Sequence, residues 1–385
     1  MFNKLDITKL DYLKVAVLFF PVIIYPPFFF VESFSQSIRV GLLLILCIYL
    51  FFGYLRYTVR DAIIFVSFFL LLTILISTNQ RGIHGIINIG GYLLTMFFGW
   101  LLYRYLLGNN QRVEILLKLY VRFFYLVVIC SIFSLIYFQI AGELDLFGYH
   151  QDRLKHLVTP FGILYKKDFG YIEVFRSVFF FHEAVHASIF FAANIVIIAP
   201  LLKQKSKSFK ILNLIGGILI MSMTFYILLA VLYFFYKKRY LIDLILWLIF
   251  SLLIYYLMQV SGIVLQNSLS NRLDTFGNFL IAMDGASIKQ LFFGHGIRTL
   301  MSDTYTSNSG IVRAIFEFGF IGFALQIFIL FLLRPNLLII ALFLVSSMVL
   351  VPIQMPLFWF LIMVAGEKMR NDIGNSKSLI SKSNI

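Results

Sequence analysis

The chain has 385 residues, of which 61% are hydrophobic and 13% charged, and its mean hydropathy is +0.93. That composition excludes an ordinary water-soluble domain and makes the bilayer the solvent. The net charge of +14 would suggest nucleic acid in a soluble protein. Here Lys and Arg gather in short connectors and at the termini, the pattern that orients membrane spans, so no nucleic-acid partner is expected.

In chain order, the first apolar run covers 13–31. It follows Lys4, Lys9 and Lys14 as a secretory leader would, but it continues through Phe30 without a small-residue cleavage site and is read as an uncleaved span. Further spans are predicted at 40–55, 61–77, 84–103, 119–141, 178–201, 211–236, 241–260, 311–333 and 336–364. Cys47 and Cys130 fall within apolar runs and pack there as small hydrophobes, so neither a disulfide nor a cysteine metal site is expected.

The connectors Arg56–Arg60, Arg104–Arg122, Lys203–Lys210 and Lys237–Arg239 are rich in Lys and Arg and are assigned to the cytoplasm, together with both termini and the polar tail 365–385. The connectors 32–38 and 78–83 and the long ones at 142–177 and 261–310 then face outward. The runs 211–236 and 336–364 carry basic residues at both ends, which one crossing cannot satisfy. Each is read as two short helices or a re-entrant hairpin, broken near Gly216, Gly217, Ser222 and Thr224 in the first and near Pro352 and Pro356 in the second. The expected fold is all-α: a polytopic membrane bundle of about 10–12 spans, one membrane domain over 1–385, with two large external loops.

Loops of that size, neither apolar nor low in complexity, mark the external face as the place for chemistry. Arg176 stands just outside the sixth span, and Glu183 and His186 stand in its first turns, where an ionisable group is costly unless paired or wet. Arg313 and Glu317, four residues apart, can pair on one helix face and are read as structural. His182-Glu183-Ala184-Val185-His186 is a literal H-E-x-x-H, and Met283-Asp284-Gly285 offers the later Asp-Gly of an intramembrane zinc protease. Asp284 lies in a polar loop without a Pro-rich approach, and the motif opens a span at its outer end, so no metal is assigned.

The stretch Arg176-Ser-Val-Phe-Phe-Phe-His-Glu183-Ala-Val-His186-Ala187 resembles the aromatic, Glu-x-x-His-x-Ala approach to a span found in the O-antigen and capsule repeat-unit polymerases, the Wzy group. Those proteins usually carry Pro where Ala184 stands. Ser270-Asn-Arg272-Leu273 and Leu291-Phe-Phe-Gly294-His295-Gly296 look like their second external loop. Ser307-Asn-Ser-Gly310-Ile311, leading to Glu317-Phe-Gly319-Phe-Ile-Gly322, is similar to their next span. The Ser222-Met-Thr224 pair resembles a recurrent short-helix feature of the same group. Order and spacing agree over about 150 residues. The related O-antigen ligases usually have His-Asn before the late span, where this chain has Ser307-Asn308, which favours polymerase over ligase.

The resemblance implies a bacterial cytoplasmic-membrane glycosyltransferase that acts on polyprenyl-diphosphate-linked oligosaccharide without cofactor, beside a flippase and a chain-length regulator. A diphosphate leaving group needs preorganised cations, for which Arg176, Arg272 and Arg298 are the candidates. The acceptor hydroxyl needs a base. Glu183 is the first choice, with His186 or His295 second, and the competing role for Glu183 is to orient one of the arginines. Beside a ligase and an intramembrane zinc protease acting through His182 and His186, a transporter of lipid-linked sugars is a further alternative, but the charges gather in outer loops and span ends instead of at mid-membrane.

Overall fold

The computed structural model describes residues 11–19, 36–53, 58–78, 82–107, 109–141, 156–168, 173–179, 181, 184–220, 222–237, 277–281, 283–296, 310–333, 336–347, 355–367 and 369. These residues are mostly helical, and five helices among them are long and apolar enough to cross a membrane: Val59–Ser77, Gly85–Leu106, Asn110–Ala141, Ala184–Leu202 and Gly310–Leu333. The predicted span 241–260 lies outside the described residues. The chain clusters into two compact units, one formed mainly by Phe30–Tyr120 with Asn278–Ile385 and the other mainly by Val121–Gly277.

The first unit contains α1 (11–19), α2 (Gln36–Gly53), α3 (Val59–Ser77), α4 (Gly82–Leu106) and the start of α5 (Asn110–Ala141). Thr58 begins α3 with a capping box: its hydroxyl accepts from the Asp61 N–H, while the Asp61 carboxylate accepts from the Thr58 N–H at 2.8 Å. That carboxylate is 3% exposed and also receives the Trp100 indole N–H at 3.2 Å and the Arg104 guanidinium at 3.1 Å, both from α4. One acid therefore caps one helix and ties it to the next, which explains why a charge is tolerated at the head of an apolar segment.

Later in the chain come a short helix α9 (Ile288–Phe293), then α10 (Gly310–Leu333), α11 (Leu337–Ser347) and α12 (Pro356–Glu367). The run 336–364 is thus divided into two short helices. Helix α12 is buried on all sides, as its apolar sequence up to Gly366 requires, and its last residue, Glu367, is buried with it. Phe360 packs edge-on to Phe19 at 4.9 Å and stacks with Tyr120 at 6.3 Å. Trp359 lies over Gly99, where an added methyl would come within 3.1 Å of the indole.

The second unit holds the rest of α5 and a three-stranded antiparallel sheet in the order β1 (His156–Thr159), β2 (Gly162–Asp168), β3 (Glu173–Phe179). This sheet falls mostly in the segment 142–177, which the sequence suggested only as a loop, and its last strand continues to Phe179, into the expected span 178–201; among the described residues it is the β element of a mostly helical chain. Helix α6 (Ala184–Ala193) follows and widens into a π turn at Asn194–Ile198 before a 3-10 stretch at Ala199–Lys205. Pro200 explains the irregularity, since in a regular helix its ring would collide with the Val196 carbonyl. The buried Asn194 amide reaches across to Asn213 at 2.8 Å on α7 (Ser206–Leu219). The run 211–236 breaks at Ile220–Ser222 into α7 and α8 (Met223–Lys237), with the Phe225 ring filling the space above Gly217.

Candidate functional site

The most constrained polar arrangement in the first unit lies where Gly294-His295-Gly296 meets α10. Ser287 caps α9 through a reciprocal bond with Gln290, and Gly294 ends it at φ 82° with its N–H on the Gln290 carbonyl at 2.8 Å. Helix α10 is broken in turn at Gly319, whose φ 69° and ψ 176° are open to glycine alone. The His295 N–H donates to the Phe316 carbonyl at 2.8 Å and the Gly296 N–H to the Glu317 carbonyl at 3.2 Å. Loop and broken helix are therefore joined backbone to backbone, which satisfies polar groups that a break inside an apolar helix would otherwise expose.

His295 is 6% exposed, and its ring lies flat on the Phe316 ring, with centroids 4.1 Å apart and planes 5° from parallel. Its Nδ1 is buried without a hydrogen-bond partner among the described residues. Burial lowers the imidazole pKa below its ordinary 6.5, against a smaller opposing pull from the Phe316 backbone carbonyl. The ring is therefore neutral near pH 7 and able to take up a proton. Phe279, Val312 and Phe316, with Met283 and Ile315 beside them, form the apolar cluster that seats this region on α10.

Glu317 follows Phe316 and is fully buried. One carboxylate oxygen accepts from Arg313 Nε at 3.0 Å and the other from the Tyr92 hydroxyl of α4 at 3.2 Å. The i,i+4 pairing expected from sequence is present, and Tyr92 is the member that sequence reasoning missed. A tyrosine in an apolar helix gives no sign of its partner 225 positions away. The chemical capacity here is a guanidinium paired on α10 and a neutral imidazole held against the same helix from the loop that follows α9. An apolar groove of about 270 Å³ between α3 and α4, lined by Phe65, Phe69, Gly90 and Leu93 among others, adds no acid, base or cation.

The other expected site residues distribute as follows. Arg176 is half-buried on β3, opposite Tyr165 of β2. His186 is half-buried in the first turn of α6. Both belong to the second unit, whereas His295 belongs to the first. Glu183, Arg272 and Arg298 lie outside the described residues, as does His182, so the H-E-x-x-H motif has no geometry to report. Asp284 is described and exposed. Among the described residues no group of three His, Cys, Asp or Glu could hold a metal ion. Comparison with known proteins finds no matching family model, no matching curated protein and no matching solved structure.

Proposed function

We propose that this chain polymerises polyprenyl-diphosphate-linked oligosaccharide repeat units into a bacterial surface polysaccharide, O-antigen or capsule. One observation carries the reading. The two late motifs on which the resemblance rests, Gly294-His295-Gly296 and Glu317-Phe318-Gly319, are a single interlocked structure whose glycines and backbone bonds require one another. Two weak patterns that depend on each other physically weigh more than two that merely recur.

In this reading the acceptor sugar hydroxyl attacks the anomeric carbon of the growing chain. The bond from that carbon to the diphosphate oxygen breaks, the hydroxyl proton passes to a base, and polyprenyl diphosphate departs. His295, neutral through burial, joins Glu183 and His186 as a candidate base. Arg176, Arg272 and Arg298 are the candidate cations for the diphosphate. The enzyme works in the cytoplasmic membrane through about 10–12 spans, with both termini and the basic connectors inside and the loops 142–177 and 261–310 outside. A flippase and a chain-length regulator act beside it.

The test is a gel of surface polysaccharide and extracted lipid-linked glycan from the parent strain, a deletion strain and a His295→Ala strain. Collapse of the ladder to a single repeat in the deletion strain is the expected result. Accumulation of long lipid-linked polymer would make the protein a ligase. An unchanged profile would overturn glycan assembly altogether and return transport or proteolysis to consideration.

A further inference from the structure

The length of α10 sets the height of the segment packed on its first turns. The helix ends at Leu333, and Arg334 comes next in sequence. Counted back from there, the roughly 30 Å of hydrocarbon in a bilayer takes about 20 helical residues and reaches the turn of Ala314. The segment around α9 is fixed to this border. Phe279 packs with Val312 and Phe316, and Met283 lies against the same cluster. His295 and Gly296 are bonded to the Phe316 and Glu317 carbonyls, and the Phe292 carbonyl lies against Gly319. These attachments run from Val312 to Gly319, from about 3 Å above the border to about 8 Å below it.

Much of this segment's free surface is apolar. Leu280, Ile281, Ile288 and Phe292 are 52%, 71%, 75% and 48% exposed. Ile288 and Phe292, four residues apart, share one face of α9, while Lys289 stands about 100° round the helix from Ile288. An exposed apolar patch of this kind marks an interaction surface. Phe320 and Ile321, next on α10 after Gly319, are exposed as well, so the lipid-facing surface of that helix begins where the segment ends. The backbone suits a nearly dry setting. The Ser287 N–H donates to the Gln290 side chain and the Gln290 N–H to the Ser287 hydroxyl, the Leu291 N–H reaches the Ser287 carbonyl at 3.0 Å, and the N–H groups of Gly294, His295 and Gly296 are all bonded.

We infer that α9 and the preceding Leu280-Ile281 are an interfacial anchor whose partner is the bilayer surface. Leu280, Ile281, Ile288 and Phe292 enter the upper ends of the acyl chains, and Lys289 reaches the head groups. The depth at which such an element rests, about 5–10 Å, matches the depth read from α10. The connector 261–310 keeps its own side of the membrane and rests on that surface instead of standing clear of it. His295, three residues beyond Phe292, is held at head-group depth by this anchor. The inference rests on the length of α10 and the exposure of these side chains and does not depend on the polymerase reading.

The experiment uses the full chain with Cys47→Ala and Cys130→Ala in phospholipid vesicles. Ile288→Cys, Phe292→Cys and Lys289→Cys, each carrying a small fluorophore, are read with a lipid spin-labelled high on its acyl chain and with a water-soluble paramagnetic quencher. Phe320→Cys, at an exposed position of α10, is the lipid-facing reference. Ile288→Cys and Phe292→Cys are expected to be quenched by the lipid label as strongly as Phe320→Cys, and Lys289→Cys mainly by the soluble quencher. Quenching of Ile288→Cys and Phe292→Cys mainly by the soluble quencher would overturn the inference. So would protection of both positions from both quenchers, which would assign the patch to a protein neighbour such as a second copy of the chain. If either apolar variant does not fold, Ile281→Cys, at another exposed position of the patch, is read on the same scale.

Discussion

Gly294 and Gly319 sit against each other so closely that neither tolerates a side chain. A methyl on Gly294 would overlap the Glu317 carbonyl and stand 2.6 Å from the Gly319 nitrogen, and one on Gly319 would overlap the Phe292 carbonyl 2.5 Å from the Gly294 nitrogen. Both residues also have positive φ, at 82° and 69°. Gly319→Ala is therefore expected to destabilise by more than about 2 kcal/mol through backbone strain and overlap together. Thermal unfolding in detergent measures this, with Gly90→Ala as the comparison: a methyl there meets nothing within 4 Å, so the midpoint should hold or rise slightly as alanine replaces glycine within α4.

The Arg313–Glu317 pair predicts a double-mutant signature. Arg313→Met leaves Glu317 buried without its cation and should cost about 3–5 kcal/mol, whereas Glu317→Leu leaves the partly exposed Arg313 and should cost less. Combining them should recover a large part of that loss, because the apolar pair leaves no orphaned ion. Tyr92→Phe removes one hydrogen bond and should cost about 1–2 kcal/mol. Strict additivity of the two charge removals in unfolding measurements would refute the coupling.

Asp61 combines a helix cap with two bonds from α4, so Asp61→Ala should destabilise by about 3 kcal/mol or more, against about 1 kcal/mol for Thr58→Ala, which removes the cap alone. Equal midpoints for the two variants would mean that the α4 contacts contribute nothing.

The depressed pKa of His295 fixes the direction of a pH effect. As pH falls, the unfolded chain takes up this proton first, near 6.5, and the folded protein only at lower pH. The stabilisation from the neutral, stacked ring is thus complete above about pH 6.5 and is lost as pH falls through the folded value. Unfolding midpoints should be level from pH 8 to about 6.5 and decline below that, and His295→Gln should flatten the decline. If His295 is also the base, polymer formation in isolated membranes should fall over the same window.

The apolar helices were legible because hydropathy has one dominant cause, the thickness of hydrocarbon. The divisions of 211–236 and 336–364 were legible from charge: basic residues at both ends of one run conflict with a single crossing, and Ser222 and Pro356 stand where new helices begin. Arg313 and Glu317 could be paired because four residues on a helix are spatial neighbours. Tyr92 could not be added, since its bond to Glu317 joins distant segments. The break at Gly319 was equally hidden. Glycine is common in membrane helices, and only the approach of Gly294 turns this one into a break. The sheet was missed because 156–179 mixes charge with β-branched and aromatic residues, which reads as a loop until Phe133 and Phe138 supply the surface it packs on.

The backbone bonds from His295 and Gly296 to α10 alter how these amides exchange with solvent. A connector amide ordinarily exchanges its hydrogen freely, but these two are bound to carbonyls of an apolar helix and can exchange only when that helix end opens. Their exchange rate therefore measures the opening of α10 near Gly319. In deuterated buffer the peptide spanning 290–296 should lose protection together with 312–319, so that a stretch outside the apolar helices records the local stability of one within them.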